Sequence, residues 1–223
     1  MQELEEWLFE SRPARYVQLA TAAAQQGEEK LQHWHTLGAQ AAARLGVEQV
    51  VIDVRVRADA SRQEFIDAID GAGVIYLSGG NPKHLARTLI DTPVWQAIHH
   101  AWQTGASLAG CSAGAMALCG YIPDVLHLKR GGQSGLGVVP TLRALPHFDN
   151  YAQWIPDMVM RPLLGDDVTI VGIDELTSLR AEPPQDLSER WKFRGVGHGS
   201  CWRIEHDRRY RINSPIHLPV ALD

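Results

Sequence analysis

The feature that most constrains the fold is the stretch 107–118, where a short apolar segment meets a glycine-flanked serine and then helix-forming residues. Ser112 stands at the centre of a G-x-S-x-G pattern, between Gly110 and Gly114. This pattern predicts a strand, a sharp turn and a helix, because side chains larger than glycine would clash in so tight a turn. Such a turn pushes the serine hydroxyl outward, and the amide of the next residue lies at a helix N-terminus, where it can stabilise an oxyanion. A glycine-rich turn that only packs a strand against a helix would have the same pattern. Other residues of the chain must therefore show whether Ser112 is a nucleophile.

Strands and helices alternate through the first half of the chain. Apolar runs predict strands at residues 16–20, 50–56, 73–77 and 107–109, and the helices between them carry end signals such as a Ser61–Glu64 capping box and a Gly46 cap. This alternation is typical of a mostly parallel sheet with helices on both faces. We therefore predict a three-layer α/β/α fold over one domain, residues 1–223. The second half predicts strands at 135–140, 142–145 and 168–173, then a small antiparallel extension in which 191–194 and 201–204 pair through a turn.

Composition and charge exclude several classes of protein. A net charge of −5 and a pI near 6.0 give no basic field for nucleic acid. The acidic N-terminus is unlike a signal peptide, and residues 104–126 are too rich in glycine to span a membrane. Three cysteines without metal-type spacing favour a reducing compartment. We therefore expect a cytoplasmic protein with neither a nucleic-acid nor a membrane partner, and with no metal or organic cofactor.

Polar residues follow the predicted strands at the edge where parallel sheets form their sites. Among ten histidines, His147 stands apart because it closes a strand, although His84 follows the 78–81 turn and could also approach the site. Asp174 and Glu175 close the strand 168–173, and only one of them can face the site because adjacent residues point in opposite directions. Asp124 is a competing carboxylate. A base and an orienting carboxylate are the groups that activate a serine nucleophile.

Five ordered motifs together resemble the aspartyl dipeptidase (peptidase E) and cyanophycinase family of serine peptidases. They are LSGGN at 77–81, GCSAGA at 110–115, GLGVVP at 135–140, PHF at 146–148 and GIDELT at 172–177. The resemblance covers roughly residues 14–205 and implies a class I glutamine amidotransferase-like fold. It also implies that Ser112 is the nucleophile, that His147 is the general base and that Glu175 orients it. The amides of Gly80 and Ala113 would form the oxyanion hole.

The resemblance implies hydrolysis of small peptides, dipeptides or isopeptides with an acidic residue at the scissile bond. Asn81 and Arg130 are the expected substrate-binding residues, and Lys129, Arg143 and Arg161 are further cations that could read a carboxylate. An esterase or amidase on the same triad, or an inactive binding protein with the same shell, is the alternative function. The leaving group that the enzyme prefers would distinguish an esterase or amidase from a peptidase. Labelling of Ser112 by an active-site probe would distinguish an active enzyme from an inactive binding protein.

The chain departs from the family pattern at its start and beside its serine. The chain begins at what is expected to be the first helix of the family, so either the family's leading strand is missing or the start lies further upstream. If the strand is missing, we expect the strand at 16–20 to lie nearer a sheet edge than in full-length relatives. That edge would be covered by a helix at residues 4–9 or by a second copy of the chain in a homodimer. Cys111 precedes the serine rather than replacing it, so it is out of register for an amidotransferase nucleophile and is expected to pack as a small apolar residue.

Overall fold

The computed structural model of the chain describes residues 2–124, 132–151, 168–184, 190–205 and 208–221. Residues 2–117 form one compact unit and residues 118–223 form the other. Among the described residues, no helix combines the length and the apolar character that crossing a bilayer requires.

The first unit is built on a four-stranded parallel sheet with the order β2-β1-β3-β4. Its central strands are apolar on both faces; Val17 and Ile75, which pair across β1 and β3, are fully buried. This burial is expected where helices cover both sides of parallel strands. In chain order the elements are α1 (Gln2–Leu8), β1 (Arg15–Leu19), α2 (Glu28–Leu45), β2 (Glu48–Val51), α3 (Gln63–Asp67), β3 (Val74–Leu77), α4 (Pro82–Leu89), α5 (Pro93–Gln103), β4 (Ser107–Gly110) and α6 (Ala113–Leu118).

The second unit contains an antiparallel sheet of order β13-β10-β9 and a mixed sheet of order β12-β11-β8-β7, in which only β7 and β8 are parallel. The prediction of an α/β fold with a parallel sheet and antiparallel C-terminal strands is therefore confirmed. The elements are β5 (Tyr121–Ile122), β6 (Gln133–Ser134), β7 (Leu142–Pro146), α7 (Phe148–Tyr151), β8 (Thr169–Ile173), β9 (Thr177–Glu182), β10 (Trp191–Gly197), β11 (Cys201–Glu205), β12 (Arg208–Arg211) and β13 (Ile216–Leu218).

The predicted edge position of the strand at 16–20 is wrong. β1 is hydrogen-bonded on both sides, to β2 and to β3, because the chain returns after α2 to pair along its free flank. The helix α1 packs on side chains of β1 and β3 rather than along a free edge of β1. Leu8 and Phe9 pack against a core cluster that contains Tyr16 and Val74.

Two local predictions in the first unit are also wrong. The strand predicted at 50–56 ends at Val51, because the chain turns where Asp59 accepts the backbone N–H groups of Arg55 and Val56, 3.0 Å each. Those two bonds lower the pKa of Asp59 below its usual value. The Ser61–Glu64 capping box does not form; α3 begins one residue after Arg62, which makes no side-chain cap. The predicted Gly46 cap is confirmed, with a left-handed backbone and N–H bonds to two carbonyls of α2.

In the second unit, β10 and β11 do not pair with each other as predicted. β10 pairs with β9 and β13, whereas β11 pairs with β8 and β12, so the two strands belong to different sheets. The predicted strand at 135–140 is reduced to one bridge between Cys119 and Val139. The backbone N–H groups of Gly135, Gly137 and Val139 donate to carbonyls of residues 118–120, but they form no regular ladder beyond that bridge.

Candidate active site

The Ser112 turn joins β4 to α6 in a left-handed backbone conformation, with φ of 48°. Non-glycine residues rarely adopt this conformation, and when they do it is often at functional turns. Both flanking glycines are required by close approach. A Cβ on Gly110 would lie 2.6 Å from the carbonyl carbon of Gly114, and a Cβ on Gly114 would lie 2.1 Å from the carbonyl oxygen of Leu77. The G-x-S-x-G spacing is thus a steric condition for this strand–turn–helix.

The Gly79-Gly80 turn after β3 lies against Ser112. A Cβ built on Gly79 would lie 3.4 Å from the Cβ of Ser112. Gly80 has φ of 141° and packs so closely on Ala22 that a Cβ would lie 2.4 Å from the Ala22 carbonyl oxygen. The backbone N–H of Asn81 donates to the same carbonyl, at 2.7 Å. The turn is therefore fixed beside the serine, and the oxyanion-hole roles of Gly80 and Ala113 stay predictions.

Asn81 caps the N-terminus of α4. Its Oδ1 accepts the backbone N–H groups of Lys83 and His84 at 3.1 and 3.2 Å, and its Nδ2 donates weakly to Gln25 at 3.4 Å. An Asn followed by proline at a helix start is a typical cap, so the Asn81-Pro82 pair in the sequence is itself a signal for this role. A substrate would therefore have to bind Asn81 through its Nδ2 group. The His84 ring donates from Nε2 to the Arg55 carbonyl at 3.0 Å, which ties this alternative base to the backbone.

His147 and Glu175 are in direct contact in the second unit. Nδ1 of His147 lies 2.6 Å from Oε1 of Glu175, and the two side chains are 38% and 46% exposed. The contact follows from strand register, because β7 and β8 are parallel neighbours whose last residues, Pro146 and Ile173, pair directly. His147 adopts φ of 55° as it leaves the strand. A histidine whose Nδ1 faces a carboxylate presents Nε2 for proton transfer.

The short helix α7 holds this pair in place. The backbone N–H of Asn150 donates to the His147 carbonyl at 3.1 Å, and its Nδ2 donates to Glu175 Oε1 at 3.3 Å. Asp149 Oδ1 accepts the backbone N–H of Glu175 at 3.0 Å. Asp149 and Asn150 thus connect the end of β7, which is followed by His147, to the end of β8, which is followed by Glu175. No sequence pattern reveals these supports, because they depend on the pairing of β7 with β8.

Asp174, the neighbour of Glu175, points to a different set of partners. Its carboxylate accepts the backbone N–H of Ser200 at 2.9 Å and the indole N–H of Trp202 at 3.1 Å. The two carboxylates thus have different partners, and which of them faces the site stays a prediction. Asp124 follows β5, and its role as an alternative acid stays a prediction.

Cys111 is half-buried beside the nucleophile turn. Burial raises the pKa of its thiol above the usual value, although hydrogen bonds from Tyr76 and the Gly79 backbone oppose the shift. Cys111 therefore also forms hydrogen bonds, in addition to the apolar packing that was expected of it. Burial also raises the pKa of Cys119 and Cys201 to about 12, so all three thiols are protonated near neutral pH.

The predicted basic residues are only partly described. Arg130, Lys129 and Arg161 lie outside the described residues. Arg143 stacks over the ring of Tyr121 at 4.8 Å, and burial lowers the pKa of its guanidinium. Within the described ranges, His, Cys, Asp and Glu side chains do not gather in threes as a metal site would require.

Comparison with known proteins places the chain among peptidases. Residues 19–183 match the model of peptidase family S51. The chain is 30% identical to a cyanophycinase of Synechococcus elongatus over 178 residues, covering 72% of this chain and 51% of that protein. It is 29% identical over 186 residues to a cyanophycinase of Trichormus variabilis, covering 77% and 58%. The chain thus spans about half the length of the curated relatives it matches.

Two solved structures share the fold. A peptidase from an acI-B1 Actinobacterium superposes with a TM-score of 0.83 at 35% identity, covering 97% of this chain and 90% of the other. A putative peptidase E protein from Listeria monocytogenes EGD-e gives a TM-score of 0.56 at 18% identity, covering 87% and 88%, and supports the fold alone. The family model, which spans most of the chain, and the predicted motifs lead to one conclusion. The chain belongs to peptidase family S51.

Proposed function

We propose that this protein is a serine peptidase that hydrolyses small peptides, with Ser112 as nucleophile, His147 as general base and Glu175 as the carboxylate that orients the base. The observation that carries the proposal is the contact between His147 Nδ1 and Glu175 Oε1 at 2.6 Å, in a chain of this family whose Ser112 stands on a strained strand–helix turn. A binding protein would have no need to keep either arrangement.

In the proposed acylation, Ser112 Oγ forms a bond to the scissile carbonyl carbon as its proton passes to His147 Nε2. The carbonyl π electrons move to the oxygen, which accepts bonds from the Gly80 and Ala113 amides. Glu175 stabilises the imidazolium through Nδ1–H. The oxyanion then collapses, the C–N bond breaks, and the Nε2 proton passes to the leaving amine.

Deacylation repeats these steps with water in place of the serine. His147 Nε2 takes a proton from water as the water oxygen attacks the acyl carbon. The second oxyanion collapses, the ester C–O bond breaks, and the proton returns to Ser112 Oγ. The product is a free carboxylic acid.

We further propose that the substrates are dipeptides or isopeptides with an acidic residue at the scissile bond. This proposal is supported by the resemblance to the aspartyl dipeptidases and by the relatives named cyanophycinase. Arg130 and the Nδ2 of Asn81 are the proposed substrate contacts. Three free cysteines agree with a cytoplasmic location, which is part of the same proposal.

The test is labelling of the folded protein with a fluorophosphonate activity probe, followed by a dipeptide and isopeptide library read by mass spectrometry. We expect the label on Ser112 and cleavage enriched in acidic members of the library. Labelling without cleavage of any peptide would favour an ester or amide substrate. No label on Ser112 would overturn the proposed nucleophile.

A further inference from the structure

We infer that Trp34 of α2 is a substrate-contacting residue, whose indole forms a wall for the group bonded to the carbonyl carbon that Ser112 attacks. The inference rests on the proposed function and adds a specificity-determining residue to it. It does not depend on the acidic preference.

The geometry comes from a single point in the first unit where three residues meet. A Cβ built on Gly79 would lie 2.7 Å from Cζ2 and 3.1 Å from Cη2 of Trp34, and 3.4 Å from Cβ of Ser112. Together the first and last distances put Cζ2 of Trp34 no more than about 6 Å from the Cβ of Ser112. At this separation an acyl group of several atoms on Ser112 is long enough to reach the indole edge, whereas a methyl group is not.

Trp34 is held firmly in this position. Its backbone carbonyl accepts a bond from Gln18 Nε2 at 2.9 Å, and the same nitrogen lies 3.1 Å from Ser78 Oγ. Gln18 is 1% exposed, and its Oε1 accepts from Gln49 Nε2 at 2.9 Å. One buried amide thus links α2 to the residue before Gly79. A fully hydrogen-bonded buried amide of this kind fixes the spacing of the elements that it joins.

The indole is not an ordinary core residue. Its neighbours Ala20, Ala23 and Leu31 are at most 2% exposed, whereas Trp34 is only partly buried where it packs against them. A tryptophan with one buried edge and one accessible edge offers a flat apolar surface and a donor, a combination that is common in binding sites.

Two 4-nitrophenyl esters test the inference, because they share a leaving group and differ only in the acyl part. The acetate is too small to reach the indole, whereas the 3-phenylpropanoate places a ring near it. We expect the wild type to favour the phenylpropanoate in kcat/KM by about tenfold, the ratio that corresponds to about 1.4 kcal/mol. In Trp34→Ala the preference should fall to near unity, because kcat/KM for the phenylpropanoate falls far more than kcat/KM for the acetate. Trp34→Phe should keep part of the preference.

Trp102→Ala is the matched control. Trp102 lies near the end of α5, which leads into the start of β4, whereas Ser112 follows the end of that strand. This variant should keep the wild-type preference. If Trp34→Ala does not fold, Trp34→Phe decides, since it removes the indole donor and one ring from the wall.

The outcomes separate the inference from its premise. If wild type and both Trp34 variants show the same ester preference, Trp34 is not a substrate contact even though Ser112 is a nucleophile. If intact-protein mass spectrometry shows no acylation of Ser112 by either ester, the proposed nucleophile fails and the inference fails with it. An equal loss of preference in Trp102→Ala would assign the effect to general packing and also overturn the inference.

Discussion

Asp174 and Glu175 are adjacent in the chain, but their carboxylates bind groups on different elements. Asp174 holds the backbone of Ser200 and the indole of Trp202 on β11, whereas Glu175 contacts His147 at the end of β7. The first carboxylate joins two strands of a sheet, and the second contacts Nδ1 of the histidine. Each of the two carboxylates can be replaced by the corresponding amide, so a matched pair of substitutions tests whether the two residues have different roles.

Glu175→Gln should lower kcat by at least about 10²-fold with little change in KM, because an amide cannot stabilise the imidazolium and favours the wrong tautomer. Asp174→Asn is the matched control. It should keep kcat but lower the melting temperature, since a hydrogen bond to a charged group is worth about 1.5–3 kcal/mol. Steady-state kinetics and thermal unfolding measure both. An inactive Asp174→Asn beside an active Glu175→Gln would show that the orienting acid is misassigned.

Asn150 should act as a positioning residue for the same pair. Asn150→Leu removes the bond to Glu175 Oε1 but keeps the backbone bond to the His147 carbonyl, so we expect a fall in kcat of about tenfold, the equivalent of about 1.4 kcal/mol. Asn150→Asp adds a negative charge beside the pair and should move the acidic limb of the kcat/KM profile to higher pH, because a nearby anion favours the imidazolium. Asn213→Ala, at an exposed position, is the control. An unchanged pH profile in Asn150→Asp would contradict the role.

Ser112→Ala should abolish turnover, by at least about 10³-fold, and leave the fold intact because it removes one oxygen at a turn. A peptide hydrolysis assay measures the loss of turnover, and circular dichroism shows whether the fold is intact. Retention of more than a tenth of the activity would exclude Ser112 as the nucleophile.

The native protein should resist iodoacetamide near pH 7.5. Burial raises the pKa of Cys111, Cys119 and Cys201, and a raised pKa leaves the unreactive thiol as the main species below it. Alkylation should accelerate only as the pH rises well above the ordinary thiol value, and all three residues should react at once in urea. Peptide mapping gives the sites. Rapid modification of Cys111 with loss of activity at neutral pH would instead support a thiol nucleophile.

Where a local structure has a local cause, the amino-acid sequence alone is sufficient to predict it. The serine turn depends on two glycines, at positions where any Cβ would strike backbone atoms, and this requirement is written in the G-x-S-x-G spacing. The end of α2 at Gly46 likewise follows from one residue that tolerates a left-handed backbone. Alternation of apolar runs and helices was enough to predict a parallel sheet.

Which elements become neighbours depends instead on long-range packing. β1 is central because β2 returns along its free side, and β10 and β11 join different sheets, since strand partners are chosen by long-range burial rather than by adjacent residues. The same holds for the site. Pairing of Pro146 with Ile173 brings His147 to Glu175, and packing of α2 on Gly79 brings Trp34 toward Ser112. No periodicity encodes these contacts, because each depends on the register or packing of segments far apart in the chain.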